Sequence, residues 1–576
     1  MTRNQEVAQL LYEMAQILEV QGVPFKPRAY QRAALNVESL GEDVAVLAQE
    51  DRLAKVPGVG KAIEEKIREF LATGQIRRLE ELRKEIPPGV LALLQVPGIG
   101  PKTAVRLQKE LKIRSMADLE KAAKAGKIRG LKGFGEKSEQ EMLSSVARVK
   151  ARPSRIPYAA ALTVAEDLVS HLRKRSPADQ VEYAGSLRRG RDTVGDLDLL
   201  AVATAKKAPA VIEAFKAFGQ VVTVLESGTT RARAILSGGV HVDLRVVEPG
   251  SYGAALVYFT GSKAHDIALR TRALKKGWTV NEYALADKKT GKRIAGATEE
   301  ELYAKLGLRW IPPELREDIG ELELAGNGKL PDLVEAKDLR GELHTHTDES
   351  DGRSPLGDMV AEAARLGYAW FGVSDHAEGM GMVNGLDHAR LKIQRKRIDK
   401  LQTAYPKMRL LHGLEVDIKK SGELALEAAA RRDLDYVIVS VHSAFNLPPK
   451  DQTARILRAF DQGADVFAHP TTRKVLGRPE IDADWDRVYA AAAEQGVALE
   501  INASPDRLDL SGERVRAANV HHPPFVIDSD AHTDTGLAWI RYGLPQARRG
   551  GLQAKDVLNG LTAAQLAKRL GRSRRA

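Results

Sequence analysis

From residue 5 to about 150 the apolar positions recur with a helical period and are broken by short Gly/Pro turns, which predicts an all-α region. A Pro-containing boundary, ARPSRIPYA at 151 to 159, ends that pattern, and strands then alternate with helices to about residue 315. Within this second region HVDLRVV alternates apolar and polar, as a strand with one buried face does. Residues 316 to 340 keep no period and are polar and turn-rich, which predicts a linker. Beyond 340 come seven short apolar runs, GELHTH, WFGVSDH, RLLHGLEVD, DYVIVSVH, DVFAHP, VALEIN and FVIDSDAH, each followed by a helical pattern. This βα repetition predicts a parallel barrel of seven strands rather than eight, with functional residues at the C-terminal strand ends.

A chain of 576 residues is too long for one core and should divide into about three to five domains. It contains no run of eighteen apolar residues and no charged-then-apolar N-terminal pattern, so a cytoplasmic protein with no membrane partner is expected. Cysteine is absent, which excludes disulfides and thiolate sites and leaves His, Asp and Glu to hold any metal. The net charge of +11 fits a polyanionic partner.

Three of the helical breaks are alike: VPGVGKAI at 56 to 63, VPGIGPKTA at 96 to 104 and LKGFGEKS at 131 to 138. Each should end one helix and start another, letting backbone approach a phosphate while the N–H groups of the next helix point at it. One such turn is commonplace between helices; three resemble the helix-hairpin-helix element, which grips nucleic-acid backbone without reading sequence. The DNA contacts then fall on Gly58, Gly60, Lys61, Gly98, Gly100, Lys102, Gly133 and Gly135, with Lys137 nearby.

The densest chemistry lies in GSLRRGRDTVGDLD at 185 to 198. On a strand, Asp196 and Asp198 would project from one side, and Asp243 in HVDLRVV would be presented by a neighbouring strand. Like charges so close need a cation. Three carboxylates suit Mg²⁺, which completes its shell with substrate phosphates and water, and paired ions serve phosphoryl or nucleotidyl transfer. The Gly185–Ser186 turn offers N–H groups and a hydroxyl to a triphosphate, and Arg188 or Arg189 can add a bidentate cation.

This segment, with HVDLRV and SYGAALVYFTGSKAHDIALRTRALKKGWTVNEY at 251 to 283, resembles family X DNA polymerases. The resemblance implies a template-directed enzyme that joins a primer 3′-hydroxyl to the α-phosphate of a dNTP at short gaps. It also implies that Asp196 and Asp198 bind both metals and nucleotide, that Asp243 completes the metal at the primer, and that Ser186 and Arg189 meet the triphosphate. Tyr258, Phe259 and Gly261 fall on the sugar-facing segment and Arg270 near the templating pair. Where family members often carry an acidic residue and Asn facing the incoming base, this chain has Lys263 and Asp266, and Lys263 could touch base or phosphate. The first 80 residues resemble the family's lyase domain, with Lys66 on the Schiff-base position and Lys26 and Tyr30 on accessory positions. Ala62 replaces a further lysine there, a change that 5′-phosphate binding survives more easily than catalysis.

Ten of the thirteen histidines lie beyond residue 340. HTHTDESDG, followed in order by SDH, GLEVD, SVH, AHP and SDAH, resembles the PHP phosphoesterases. The resemblance implies a ligand set of His344, His346, Asp351, His376, Glu415, His442, His469, Asp530 and His532. Mixed imidazole and carboxylate donors suit Zn²⁺ or Mn²⁺, up to three ions, which lower the pKa of water and clamp phosphate oxygens. His388, His412, His521 and His522 match no motif and are expected at the surface or behind the ligands, as are Asp375 and Asn502 as supporting residues.

The expected fold is therefore multidomain: N-terminal all-α with helix-hairpin-helix motifs, a central α+β nucleotidyltransferase palm and thumb, and a C-terminal α/β distorted (βα)7 PHP barrel. The expected boundaries are 1–80 (lyase-like), 81–150 (DNA-binding), 151–250 (palm), 251–315 (thumb-type), 316–340 (linker) and 341–576 (PHP). The expected function is gap filling in base excision repair, with 3′-5′ exonuclease, abasic endonuclease or 3′-phosphatase action by the PHP domain, on gapped or primer-template DNA and dNTPs, as a monomer. An untemplated nucleotidyltransferase fused to a phosphatase, or a non-catalytic DNA-end scaffold, fits the same motifs less well. DNA affinity is expected to fall steeply as salt rises, as backbone contacts require; a flat salt titration of binding to a gapped duplex would contradict the hairpin reading.

Overall fold

In the computed structural model the described residues are 3–21, 23, 26–38, 44–56, 58–86, 90, 93, 99–131, 133–136, 138–143, 155–379 and 383–570. They belong to two compact units, Met1–Pro153 and Ser154–Ala576.

The first unit contains helices Arg3–Val20, Lys26–Glu38, Val44–Gln49, Lys61–Thr73, Arg77–Glu85, Pro101–Leu111 and Met116–Lys124. Their apolar faces meet in one core that includes Leu11, Ala33, Ile67, Leu82, Leu107 and Leu119. Arg83 grips Glu13 with two hydrogen bonds of 2.8 and 2.7 Å, tying the Arg77–Glu85 helix to the first one. Ser115 starts Met116–Lys124 by accepting a hydrogen bond from the Asp118 amide at 3.1 Å.

In the second unit, residues 180–247 form a five-stranded sheet in the order Gln180–Tyr183, Leu197–Val202, His241–Val247, Arg231–Leu236, Val221–Ser227. Leu197–Val202 runs parallel to His241–Val247; the other pairs are antiparallel. Helices Tyr158–Arg175 and Ala208–Lys216 cover one face with Leu162, Leu168, Val211 and Phe215, packed on Leu197, Leu199, Val242 and Leu244. Leu508 and Tyr542, from far along the chain, belong to this same core. Helices Tyr252–Thr260, Lys263–Lys275 and Glu299–Lys305 then surround a core of Val257, Leu269, Leu302 and Tyr303 with a small antiparallel sheet.

A buried ion cluster locks these parts together. Glu299 accepts from Arg188 at 2.8 and 2.9 Å, from Arg316 at 2.7 and 3.1 Å and from the Trp310 indole at 2.9 Å. Arg316 is fully buried, and its charge with that of Arg188 holds the Glu299 carboxyl well below the usual range despite burial. The stretch read as a linker is thus packed: Arg316 opens it, Glu321–Gly326 is helical, and Glu321 bonds buried His265 at 2.6 Å. Leu322, Ala325, Leu330, Leu333 and Val334 are buried there beside Arg316 and Glu321, at spacings too irregular to show a helical or strand period in the sequence.

The seven C-terminal runs lie in the predicted order, with two departures. The first run makes no regular strand; Thr345 forms an isolated parallel bridge with Ala531, and Gly372 and Ser374 donate to Glu342 and Thr345. The third divides at Gly413 into strands Arg409–His412 and Glu415–Asp417. All pairings between the regular strands are parallel, but the ladder falls into a two-stranded sheet, Trp370–Val373 with Arg409–His412, and a five-stranded one running from Glu415–Asp417 to Phe525–Asp528.

Removing the partner of a buried arginine is expensive. Glu299→Ala is expected to destabilise the second unit by about 3–5 kcal/mol, read as a lower midpoint of its thermal or urea unfolding; an unchanged midpoint would show that the cluster contributes nothing.

Candidate active sites

Parallel pairing puts Asp198 and Asp243 directly opposite each other in register. Asp196 lies just before the strand, at a bend, rather than within it, and is exposed. Burial, then the charges of Asp196 and Asp243, push the Asp198 carboxyl up to about 7. Asp243 is met by Arg231 at 3.0 Å, Arg233 at 3.4 Å and Arg245 at 3.6 Å. The three carboxylates lie near enough for the charges of Asp196 and Asp243 to act on Asp198, and oxygen donors of this kind suit divalent cations, although they are not drawn together to ligand distance as the PHP clusters are.

The phosphate-binding turn packs against this group. Ala184 donates its amide to the Asp198 carbonyl at 2.8 Å, and Gly185, at φ 61°, begins the short helix Gly185–Arg188. A Cβ at Gly185 would sit 2.2 Å from Asp198 Oδ2, so only glycine leaves that carboxylate its place. Ser186 is half-buried on the same helix. Arg188 does not serve as a free cation, because Glu299 and Thr260 Oγ1 occupy its guanidinium. Arg189 instead reaches across to the Thr260 carbonyl and to Glu317 at 3.2 Å.

Tyr258 and Phe259 close the Tyr252–Thr260 helix with ring centroids 5.1 Å apart, and Gly261 follows at φ 65° with a cis peptide to Ser262. Ser262 accepts the His265 amide at 3.3 Å and starts Lys263–Lys275. Arg245 joins the carboxylates to this segment, its guanidinium 5.1 Å over the Phe259 ring. Arg270 lies 5.2 Å over Tyr258. Burial pushes Asp266 up to about 7 against the pull of Arg270, whereas Lys263 is exposed at the helix start.

All nine predicted PHP ligands come together. Ligand atoms of His346, Asp351, His376 and His532 lie within 4.8 Å of one another, as do those of His344, His346 and Glu415, and of His376, Glu415 and His442. His469 joins through Glu415 at 3.0 Å, and Asp530 lies 3.6 Å from His344 and 3.3 Å from His346. His376, His442, His469 and Asp530 each follow a strand end by two or three residues, whereas Glu415 opens its strand because the run breaks at Gly413. His469 and Asp530 hold positive φ values of 28° and 54°, a backbone cost that the surrounding hydrogen bonds sustain.

The donor chemistry of this cluster fits metal ions. Nε2 of His344, both ring nitrogens of His346 and Nδ1 of His469 are buried without a hydrogen-bond partner. Burial lowers His346 to about 4 and His469 to about 3, favouring the neutral imidazole that a metal needs. The outer nitrogens are held by carboxylates: His344 Nδ1 by Glu500 at 2.6 Å and His442 Nδ1 by Asp417 at 2.6 Å. Asn502 donates to Asp530 at 3.1 Å, and Arg507 lies 3.6 Å from the same carboxylate with Nη1 buried and unpaired. Asp375 stands behind the ligands, accepting from Thr347, Ser350 and Gln394. His388 pairs with Asp433 and His521 with Asp486 at the surface, His522 is exposed, and buried His412 bonds Gln394, so none of the four is a ligand.

Sequence reasoning missed Glu500, Asp417 and Arg507. The first two carried a signal: Asp417 follows Glu415 by two positions and Glu500 precedes Asn502 by two, the same-face spacing that marks His344 with His346. Arg507 lies in a loop and carried none.

In the first unit, Gly58 and Gly133 have positive φ (86° and 91°), and Gly60 and Gly100 cap Lys61–Thr73 and Pro101–Leu111 without a side-chain acceptor. The first amides of those helices thus lack a side-chain cap. Lys61 is exposed; Lys66 is half-buried, its amine donating to the Ala62 carbonyl at 2.8 Å; Lys26 is exposed and Tyr30 buried. Gly98 and Lys137 lie outside the described residues, and only the backbone of Lys102 is described.

Four family models match the chain: a helix-hairpin-helix domain over 2–76, a SAM-like helix-hairpin-helix tandem over 90–148, the DNA polymerase beta thumb over 255–317 and a PHP domain over 342–504. The DNA polymerase/3′-5′ exonuclease PolX of Bacillus subtilis is 35% identical over 96% of this chain and 97% of its own. DNA polymerase lambda of Rattus norvegicus is 24% identical over 54% of this chain and 56% of its own. A probable phosphatase of a Shewanella species is 30% identical over 34% of this chain and 77% of its own. The chain belongs to the family X DNA polymerases that carry a PHP domain. No helix among the described residues is long and apolar enough to cross a membrane.

Gly185→Ala is expected to lower primer extension by about 10²–10³-fold, the scale for displacing one essential electrostatic group, while hydrolysis at the PHP site persists. Extension at the original rate would mean that the close approach to Asp198 is not needed.

Proposed function

We propose that the chain fills short gaps in DNA with its palm and removes or repairs 3′ ends with its PHP domain, a pairing suited to base excision repair. The in-register placement of Asp198 against Asp243, beside Asp196 and the Gly185 turn, carries the polymerase reading. In that reaction the primer 3′-oxygen attacks the α-phosphate and pyrophosphate leaves. Mg²⁺ held by Asp196, Asp198 and Asp243 would supply charge stabilisation at the phosphates. Ser186, Arg189 and the Gly185 amide hold the triphosphate, Tyr258, Phe259 and Gly261 face the sugar, and Arg270, Lys263 and Asp266 border the base.

In the PHP domain the nine ligands would hold up to three ions, Mn²⁺ or Zn²⁺, which supply Lewis acidity for hydrolysis of a phosphate ester. Glu500 and Asp417 fix the rings of His344 and His442, and Arg507 offers a cation to the phosphate. The helix-hairpin-helix turns, with Gly58, Gly60, Lys61, Gly98, Gly100, Lys102, Gly133 and Gly135, grip the DNA backbone. Lys66, with Lys26 and Tyr30, faces a 5′-phosphate at the gap, where Lys66 would be the lyase nucleophile. The protein acts as a cytoplasmic monomer.

A 5′-labelled primer on a one-nucleotide gap, with and without dNTP in Mg²⁺ or Mn²⁺, tests both halves. Asp198→Ala is expected to lose extension by about 10³-fold or more and keep Mn²⁺-dependent shortening, and His344→Ala the reverse. Extension that survives Asp198→Ala, or shortening that survives His344→Ala, would refute the corresponding assignment.

A further inference from the structure

The helix Ile540–Arg549 of the PHP domain ends against the polymerase's phosphate-binding turn. Gln546 donates to the Gly190 carbonyl at 2.9 Å, and Arg549 donates to the Arg189 carbonyl at 2.9 Å. Gly190 takes φ 65°, and a Cβ there would come within 2.6 Å of Pro545 Cβ. Arg549 is 1% exposed; its other guanidinium bonds go to Glu317 at 3.0 Å and Glu513 at 2.8 Å. Glu317 also receives Arg189 at 3.2 Å and lies 3.7 Å from Arg191. Among the described residues, no hydrogen bond of Arg549 reaches one of the nine PHP ligands.

This arrangement has an electrostatic consequence. Of the two arginines, Arg188 gives both Nη atoms to Glu299, whereas the bonds of Arg189 use Nε and Nη1, so Arg189 is the one taken to face a triphosphate. A half-buried carboxylate, Glu317, touches Arg189 and subtracts from its potential at short range. Arg549 offsets that carboxylate from the far side and pins the backbone of residue 189. We propose that Arg549, a PHP-domain residue, is a positioning residue for nucleotide binding by the polymerase: it holds the 185–190 turn in place and neutralises Glu317 so that Arg189 is free to engage phosphate. The inference rests on the proposed role of that turn in binding the triphosphate.

The test is single-nucleotide gap filling by the full-length chain across a dNTP titration, with Mn²⁺-dependent 3′-end hydrolysis and thermal unfolding measured on the same samples. Arg549→Gln is expected to raise KM for dNTP roughly 10- to 100-fold, the range for losing a hydrogen bond to a charged group, with kcat changed little and hydrolysis intact. Arg549→Lys should recover part of the loss, and Glu317→Gln in the Arg549→Gln background should bring KM back toward the starting value, since the carboxylate touching Arg189 is then gone and Glu513 keeps Arg191 at 2.7 Å. Arg189→Ala separates the two layers of the argument. If it raises KM while Arg549→Gln does not, the positioning role is wrong; if Arg189→Ala itself leaves KM unchanged, the triphosphate reading of the turn fails first. Should Arg549→Gln unfold, the double variant decides: folded with recovered KM, it supports the role; folded with KM still raised, it overturns it.

Discussion

Repulsion between carboxylates forced side by side is the constraint on which the polymerase half depends. Two parallel strands in register leave Asp198 and Asp243 no room to diverge, and Asp196 adds a third charge at the strand's entrance. In a partly dry site that crowding is unfavourable until positive charge arrives. The fold offsets part of it with Arg231, Arg233 and Arg245 around Asp243, and the glycine at 185 lets Asp198 stay where the repulsion is greatest. The PHP half meets a similar demand differently. It surrounds Glu415 with imidazoles, two of the neighbouring rings are kept neutral by burial, and further carboxylates grip the rings from behind.

Much of this was legible in the chain because period and spacing report directly on which side chains share a face. The helical stretch, the alternating strand at Asp243 and the order of the seven βα runs follow from such spacing, whereas the set of nine ligands that meet in the PHP domain was implied by its family resemblance. The two-residue pairs were the most informative signal, even where Asp196 stands just outside its strand and where the His344–His346 run forms only an isolated bridge.

What stayed hidden is held by charge or by apolar residues without a regular spacing. Arg188 and Arg189 are neighbours of identical chemistry, and only the position of Glu299 shows that one is structural. The stretch from 316 to 340 buries Arg316 and Glu321 together with a few irregularly spaced apolar residues, Leu322, Ala325, Leu330, Leu333 and Val334, and so shows no period. Arg507 reaches Asp530 from a loop, where sequence spacing says nothing about direction.

Leu508 and Tyr542 sit in the hydrophobic core of the palm although both come from the nuclease half. A gene that reads as two enzymes joined end to end therefore encodes one solid object across that join. The change of sequence character near residue 340 is not a boundary of stability, and a substitution on either side of it has to fit the packing of the other.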